Sequence, residues 1–265
     1  MLPIKDSNYR YYVKDSGYQH ENLEISTTNK LIPIPKSIHL ENSALFITSN
    51  HFQIISKQEI SHDLELIIRR YSRYIELLIG SSSNTSQTPS PENTLAIDCL
   101  TMHTEKGSYP KLGEDESYTL NITTTGVYLN TVTLTGIVRG LSTFVQLIEH
   151  TTTSSGLKRS YIPLGIIVDQ PRFPWRGLLL DVSRHWMPVS VIERTLNVME
   201  LSKLNVLHFH LSDDQGFRVE SLKYPLLHDR KDYFTQYDIR HLVEFARQRR
   251  IRIVPEFDIP GHTTR

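Results

Sequence analysis

Val206-Leu207-His208-Phe209-His210-Leu211-Ser212-Asp213-Asp214 runs from an apolar strand straight into paired carboxylates. Two flanking segments are built the same way. Upstream, Gly177-Leu178-Leu179-Leu180-Asp181-Val182 leads into Ser183-Arg184-His185; downstream, Ile251 to Phe257 leads into Asp258-Ile259-Pro260-Gly261-His262. The segments between them read as helices. One carries Ile192, Leu196, Met199 and Leu204 on its apolar face, and the other Ile239, Leu242, Val243 and Ala246. Ser190 with Glu193, and Thr235 with Asp238, have the spacing of capping boxes at the helix starts. Apolar strands joined through helices specify right-handed crossovers and a parallel sheet buried on both faces.

Residues 172–265 are therefore expected to form about three β/α units, the first part of a (β/α)8 TIM barrel. A complete barrel takes about 250 residues, so this one is expected to be truncated. Its exposed strand edges would then make the piece aggregate or seek a partner. Pro255 is the one awkward residue, since a central strand loses a ladder hydrogen bond at proline.

Working outward, residues 30–150 read as a separate α+β domain. Leu31 to Pro35 is an extended entry, because proline biases its predecessor away from helix. Ala44 to Thr48 is a short strand. From Gln58 to Ile79 the residues Ile60, Leu64, Ile67, Tyr71, Ile75 and Leu78 recur at helical spacing. Gly80 to Asn93 is a Ser/Thr/Pro-rich surface loop. Strands follow at Thr94–Leu100, Tyr118–Thr123 and Val127–Leu129, and a second helix carries Ile137, Leu141, Phe144, Val145 and Ile148. Glu114-Asp115-Glu116 reads as a solvated loop, with paired catalytic carboxylates as the rival reading. Residues 151–171 are expected to be a linker and connecting strand, and residues 1–29 a polar N-terminal segment.

Composition excludes several classes. The 265 residues carry 29 basic and 29 acidic side chains, so no electrostatic case exists for nucleic acid. No apolar run reaches the roughly 18 residues of a transmembrane helix, and no signal-peptide core is visible at the start. The single cysteine, Cys99, cannot form an internal disulfide and is read as a buried thiol. Two sequons, at Asn84 and Asn121, are candidate glycosylation sites.

Barrel enzymes build their active sites where strands end, so the polar clusters carry the chemistry. Arg184 offers a planar guanidinium that can fork two sugar hydroxyls; an ion pair at the rim is the alternative. Adjacent carboxylates on an extended segment point apart, so only one of Asp213 and Asp214 can face the cavity. His262 can meet Asp213 across the barrel mouth, where a carboxylate would set its tautomer and charge. His208 and His210 share a strand face and form a His-x-His pair, which leaves a zinc-dependent barrel hydrolase as a competing class.

These stretches, with Pro171 to Gly177, Lys203-Leu204-Asn205-Val206 and Glu256 to Thr263, resemble glycoside hydrolase family 20, the β-N-acetylhexosaminidases, and are most similar to the animal lysosomal type. Asp115 to Leu120 and Gly136 to Phe144 resemble the family's non-catalytic N-terminal domain. The resemblance runs from about Leu31 to the end.

It implies exo-hydrolysis of terminal N-acetylglucosamine or N-acetylgalactosamine by a substrate-assisted, retaining mechanism without a cofactor or metal. Arg184 would bind substrate hydroxyls, and Asp213 with His262 would form a relay behind the catalytic acid. Aminosugar-terminated oligosaccharides, glycoproteins or glycolipids would be the partners, with a possible dimer and a lysosomal or secreted location. The family's His-x-Gly-Gly-Asp-Glu segment is absent from the 265 residues. The chain alone is therefore expected to be inactive, and a non-enzymatic sugar-binding protein stays open as an alternative.

Overall fold

The structure is a computed structural model. It describes residues 11–12, 22–23, 31–47, 52–57, 59–80, 94–99, 108–152, 156, 158–228 and 231–264. The chain divides into two compact units, 1–102 with 116–170, and 103–115 with 171–265. The loop sequon at Asn84 and the side chain of Cys99 lie outside the described residues.

In the first unit, β1 (Tyr11–Tyr12) and β2 (Asn22–Leu23) form a small antiparallel pair. A seven-stranded mixed sheet is made of β3 (Ser37–Ile47), β4 (Gln53–Ser56), β5 (Thr94–Cys99), β6 (Tyr118–Thr123), β7 (Gly126–Thr131), β8 (Glu149–Thr152) and β9 (Lys158–Asp169). Its order is β3-β9-β6-β7-β5-β4, with β8 also paired to β9. β4, β5 and β7 run parallel, and the remaining pairs are antiparallel.

Helices α1 (His62–Ile79) and α2 (Leu134–Leu147) pack on each other and on the sheet. Tyr118, Leu120 and Ile122 alternate into the core, as a half-buried strand requires. Asn121 lies on the opposite face, within a strand paired on both sides, so this sequon is not in a loop.

The structure revises several expectations here. β3 has 11 residues where a short strand is expected, because a register shift between Leu40 and Ala44 lets it follow β9 across the irregularity. Residues 151–171, expected as a linker and connecting strand, contain β9, which lies between β3 and β6 inside the sheet. The solvated-loop reading of Glu114 to Glu116 holds for exposed Asp115 but not for Glu116. Glu116 is buried and accepts from Arg139 Nε at 2.7 Å, while in the second unit Glu114 pairs with Arg250 at 3.3 Å.

Gly136 and Gly140 allow α2 to settle on the sheet. A methyl at Gly136 would collide with the Thr131 hydroxyl and the Ser117 carbonyl, and one at Gly140 with the Leu129 side chain.

The second unit holds β10 (Gly177–Asp181), α3 (Val189–Leu201), β11 (Val206–Asp213), β12 (Gly216–Phe217), α4 (Gln236–Gln248) and β13 (Arg252–Phe257). β11 runs parallel to β10 on one side and to β13 on the other, while β12 folds back antiparallel on the end of β11. Leu207, Phe209 and Leu211 join Ile192, Leu196, Met199, Leu242, Ala246 and Phe234 in one core. Asn205 fixes the strand entrances, accepting from Arg176 N at 2.9 Å and donating to Pro174 O at 2.9 Å.

The Thr235–Asp238 capping box is present. The one at Ser190 is not. Pro188 occupies the cap position of α3 without a side-chain bond, and Glu193 instead accepts from His241 Nε2 at 2.6 Å. β10 is not buried on both faces, with Leu179 at 51% exposure. Among the described strands it has a partner on one edge only. β13 is likewise paired on one edge, the setting in which sheets tolerate a proline such as Pro255.

Gly136→Ala is expected to destabilise the first unit by about 1–3 kcal/mol through overpacking. Thermal unfolding followed by far-ultraviolet circular dichroism should show a lowered midpoint, and an unchanged midpoint would contradict the close approach.

Candidate active site

The site is built by strand register. Asp181 of β10 lies beside His210 of β11, which lies beside Glu256 of β13. Residues two apart on a strand share a face. Leu207, Phe209 and Leu211 turn to the helices, so His208 and His210 turn to the other face of the sheet. A carboxylate, an imidazole and a second carboxylate thus stand in one row at the strand C-terminal ends.

His210 is buried, and both of its ring nitrogens meet carboxylates. Nδ1 lies 2.8 Å from Glu256 Oε2, and Nε2 lies 3.0 Å from Asp213 Oδ2. The same Glu256 oxygen is 2.8 Å from His208 Nε2. Asp213 is the hub. Its Oδ2 is 2.5 Å from Arg184 Nη2, and its Oδ1 is 3.3 Å from His262 Nδ1 and accepts from Asp214 N at 2.7 Å. Arg184 also donates to Asp181 Oδ2 at 2.7 Å, and Asp181 Oδ1 accepts from the backbone nitrogens of Ser183 and Arg184. Half of the Arg184 side chain stays exposed despite the two ion pairs.

Asp214 points elsewhere, accepting from Thr264 N at 3.0 Å and Thr264 Oγ1 at 2.8 Å. That latch holds the loop bearing His262, whose φ of 56° lies in the left-handed region. Such backbone conformations persist where the surroundings over-determine them. Buried Arg218 ties the neighbouring loop, donating to Val182 O at 3.2 Å and Ser183 O at 2.8 Å.

The charges reinforce one another. Burial opposes charge on His210, yet its bonds to Glu256 and Asp213, and the negative charges of Glu256 and Asp181, hold its pKa above the ordinary value. Burial likewise opposes ionisation of Asp213, but the His210 bond, the Asp214 amide, Arg184 and His262 bring its pKa below the ordinary value. Glu256 is lowered first by the His210 bond, and Asp214 by its bonds from Thr264. Asp181 is lowered against burial by the Arg184 bonds and the charge of His210.

Two sets of side chains bring possible metal-ligand atoms within 4.8 Å of one another: His210, Glu256 and Asp258, and Asp213, Asp258 and His262. His210 does not suit a metal in this arrangement, because each nitrogen needs its proton to bond a carboxylate and no lone pair is left. The His208–His210 pair expected as a zinc candidate meets at Glu256 instead.

The structure thus brings Arg184, Asp213 and His262 together. Sequence reasoning did not identify Asp181, Glu256 and Arg218 as partners, nor the bonds His210 makes. The alternation of His208 and His210 was the available signal, but their partners depend on register.

Residues 173–265 match the family described as glycosyl hydrolase family 20, catalytic domain, and residues 31–147 match one described as beta-acetyl hexosaminidase like. The chain belongs to glycosyl hydrolase family 20. It is 33% identical over 246 residues to the rat beta-hexosaminidase subunit beta, covering 88% of this chain and 45% of the relative. It is 37% identical over 231 residues to the bovine beta-hexosaminidase subunit alpha, covering 83% and 42%. The chain therefore spans less than half the length of these family 20 relatives.

Among solved structures it is similar to a Flavobacterium johnsoniae chitobiase, with TM-score 0.74, 35% identity and coverage of 88% of this chain and 35% of that one. A Streptomyces plicatus N-acetyl-beta-hexosaminidase in complex with Thio-NAglucal gives TM-score 0.66 and 27% identity over 88% and 46%. The matched parts of these structures support an N-terminal domain followed by part of a barrel in this chain.

The charge cluster has a pH signature. Depressed carboxylates add stability that is present above their unfolded values and lost as pH falls through their folded ones; raised His210 adds stability that is present below its unfolded value and lost as pH rises through its folded one. Both contributions are full only between about pH 4.5 and 6.5. Both tryptophans, Trp175 and Trp186, lie in the second unit, so their fluorescence reports its melting. The midpoint is expected to peak in that window, and a steady rise from pH 6 to 9 would contradict the cluster.

Proposed function

We propose that this family 20 chain serves an exo-acting β-N-acetylhexosaminidase that removes terminal N-acetylglucosamine or N-acetylgalactosamine from glycoconjugates. The observation that supports this reading is the convergence of Arg184, Asp213 and His262 at the C-terminal ends of parallel strands, where barrel enzymes place their chemistry. Arg184 stays half exposed, able to donate to hydroxyls of the non-reducing sugar. Asp213 and His262 are assigned the relay behind the catalytic acid.

The mechanism proposed is substrate-assisted. The acetamido oxygen of the sugar attacks its own anomeric carbon, and the bond to the leaving oxygen breaks as a carboxylic acid protonates that oxygen. Water then opens the cyclic intermediate with retention. The family's Asp-Glu pair would steer the acetamido group and supply the proton, and these 265 residues contain no His-x-Gly-Gly-Asp-Glu segment. That observation favours sugar binding without turnover as the property of this polypeptide by itself.

Oligosaccharides, glycoproteins or glycolipids ending in an aminosugar follow as substrates. A lysosomal or secreted setting, glycans on Asn84 or Asn121, and dimer formation belong to the same proposal. Among the described residues, no helix is long and apolar enough to cross a membrane.

Titration with N-acetylglucosamine, followed by nuclear magnetic resonance, is expected to perturb the Arg184 side chain. Arg184→Ala should weaken binding at least about tenfold, as loss of a charged hydrogen-bond donor does. Binding that is indifferent to Arg184 would remove the sugar-site assignment. With an aryl N-acetylglucosaminide the 265-residue chain is expected to show no turnover, since a catalytic acid contributes a factor of about 10² to 10⁴; clear turnover would overturn the assignment of the acid to the absent segment.

A further inference from the structure

His210 is the one imidazole in this cluster with a carboxylate oxygen at each ring nitrogen, Glu256 Oε2 at 2.8 Å and Asp213 Oδ2 at 3.0 Å. An ionised carboxylate only accepts hydrogen bonds, so both contacts need N–H donors, and a neutral imidazole has just one. His210 side-chain exposure is 6%, which leaves water little access as a replacement partner. The groups facing it are Asp181 from β10, Asp213 and His208 from its own strand, Glu256 from β13, and Asp258 just beyond the end of β13. Arg184 and His262 stand behind Asp213. The neighbours in direct contact through both nitrogens are anionic.

We propose that His210 is a positioning residue: an imidazolium clamped between Glu256 and Asp213 that sets the direction of the Asp213 carboxylate, and through it the placement of the Arg184 guanidinium at the rim. The inference rests on the functional reading above for its meaning, but not for its geometry. Asp213 Oδ2 is shared between two cations, His210 on the strand side and Arg184 on the open side. The pull of His210 keeps that oxygen turned inward, so Arg184 is held through Nη2 with half of its side chain exposed. Without the inner cation, Arg184 becomes the dominant partner of Oδ2, and the carboxylate turns towards the rim and carries the guanidinium with it. Glu256 acts at one further remove, by holding the proton on Nδ1. His208 shares the same Glu256 oxygen and competes for it.

The test uses the whole 265-residue chain, ¹⁵N-labelled. Long-range proton–nitrogen spectra should show both ring nitrogens of His210 still protonated at pH 7, above the ordinary histidine value of about 6.5. The Arg184 Nε–H resonance should shift in step with any loss of that proton. Glu256→Gln keeps an acceptor at the same place but removes its charge, so the proton affinity of His210 should fall at least about tenfold. Arg184 should then move at neutral pH and return at pH 5, where the imidazolium is restored. Glu256→Asp, which keeps the charge, should recover most of the unaltered behaviour.

A singly protonated His210 at pH 7 in the unaltered chain would overturn the proposal without any variant. So would an Arg184 signal that changes equally at pH 5 and pH 7.5 in Glu256→Gln, which is the mark of a merely structural role. If Arg184 follows His210 while N-acetylglucosamine perturbs neither, the positioning role stands and the functional reading fails.

Discussion

The row Asp181–His210–Glu256 is the constraint on which the rest of the site depends. Three strands that are distant in sequence place these residues side by side through backbone pairing alone. A one-residue slip of any strand would turn its member to the helix face. The apolar alternation of Leu207, Phe209 and Leu211 against α3 and α4 prevents that slip. Core packing on one side of β11 thereby sets the electrostatics on the other.

The charge pattern follows from this placement. Anions and cations alternate from Glu256 through His210 and Asp213 to Arg184, so each ionised group lowers the cost of burying its neighbour. A buried ion removed from such a chain leaves its partner uncompensated, which is more damaging than the loss of one contact. The loops are held by separate means: Arg218 fixes the segment after β10, and the Asp214–Thr264 latch fixes the one after β13. Chemistry at the rim and rigidity around it therefore come from different residues.

Much of this was legible in the sequence. The long apolar runs of β10 and β11, the helical periodicity of α4 and the Thr235–Asp238 box all correspond to observed elements, because each depends on near neighbours in the chain. The partners of His208 and His210 did not, since Glu256 lies 46 residues beyond His210 and only register joins them. The same holds for Glu116. Its loop-like neighbourhood suggests solvent, and its burial follows from pairing with Arg139 on α2, a contact across 23 residues that the local pattern cannot assign. Ser190 misled for a related reason: the cap spacing was present, but Pro188 had already started the helix and Glu193 had a stronger partner in His241.

The central place of β9 in its sheet has a consequence for biosynthesis. β3 and β6 have no direct pairing and meet only through this strand, the last of the sheet in chain order. On the ribosome, nascent β3 must wait for more than a hundred further residues before its partner exists. During that interval its edge is open to adventitious pairing, the hazard of long-range β topology. The first unit can close only at about the moment when the strands of the second begin to emerge.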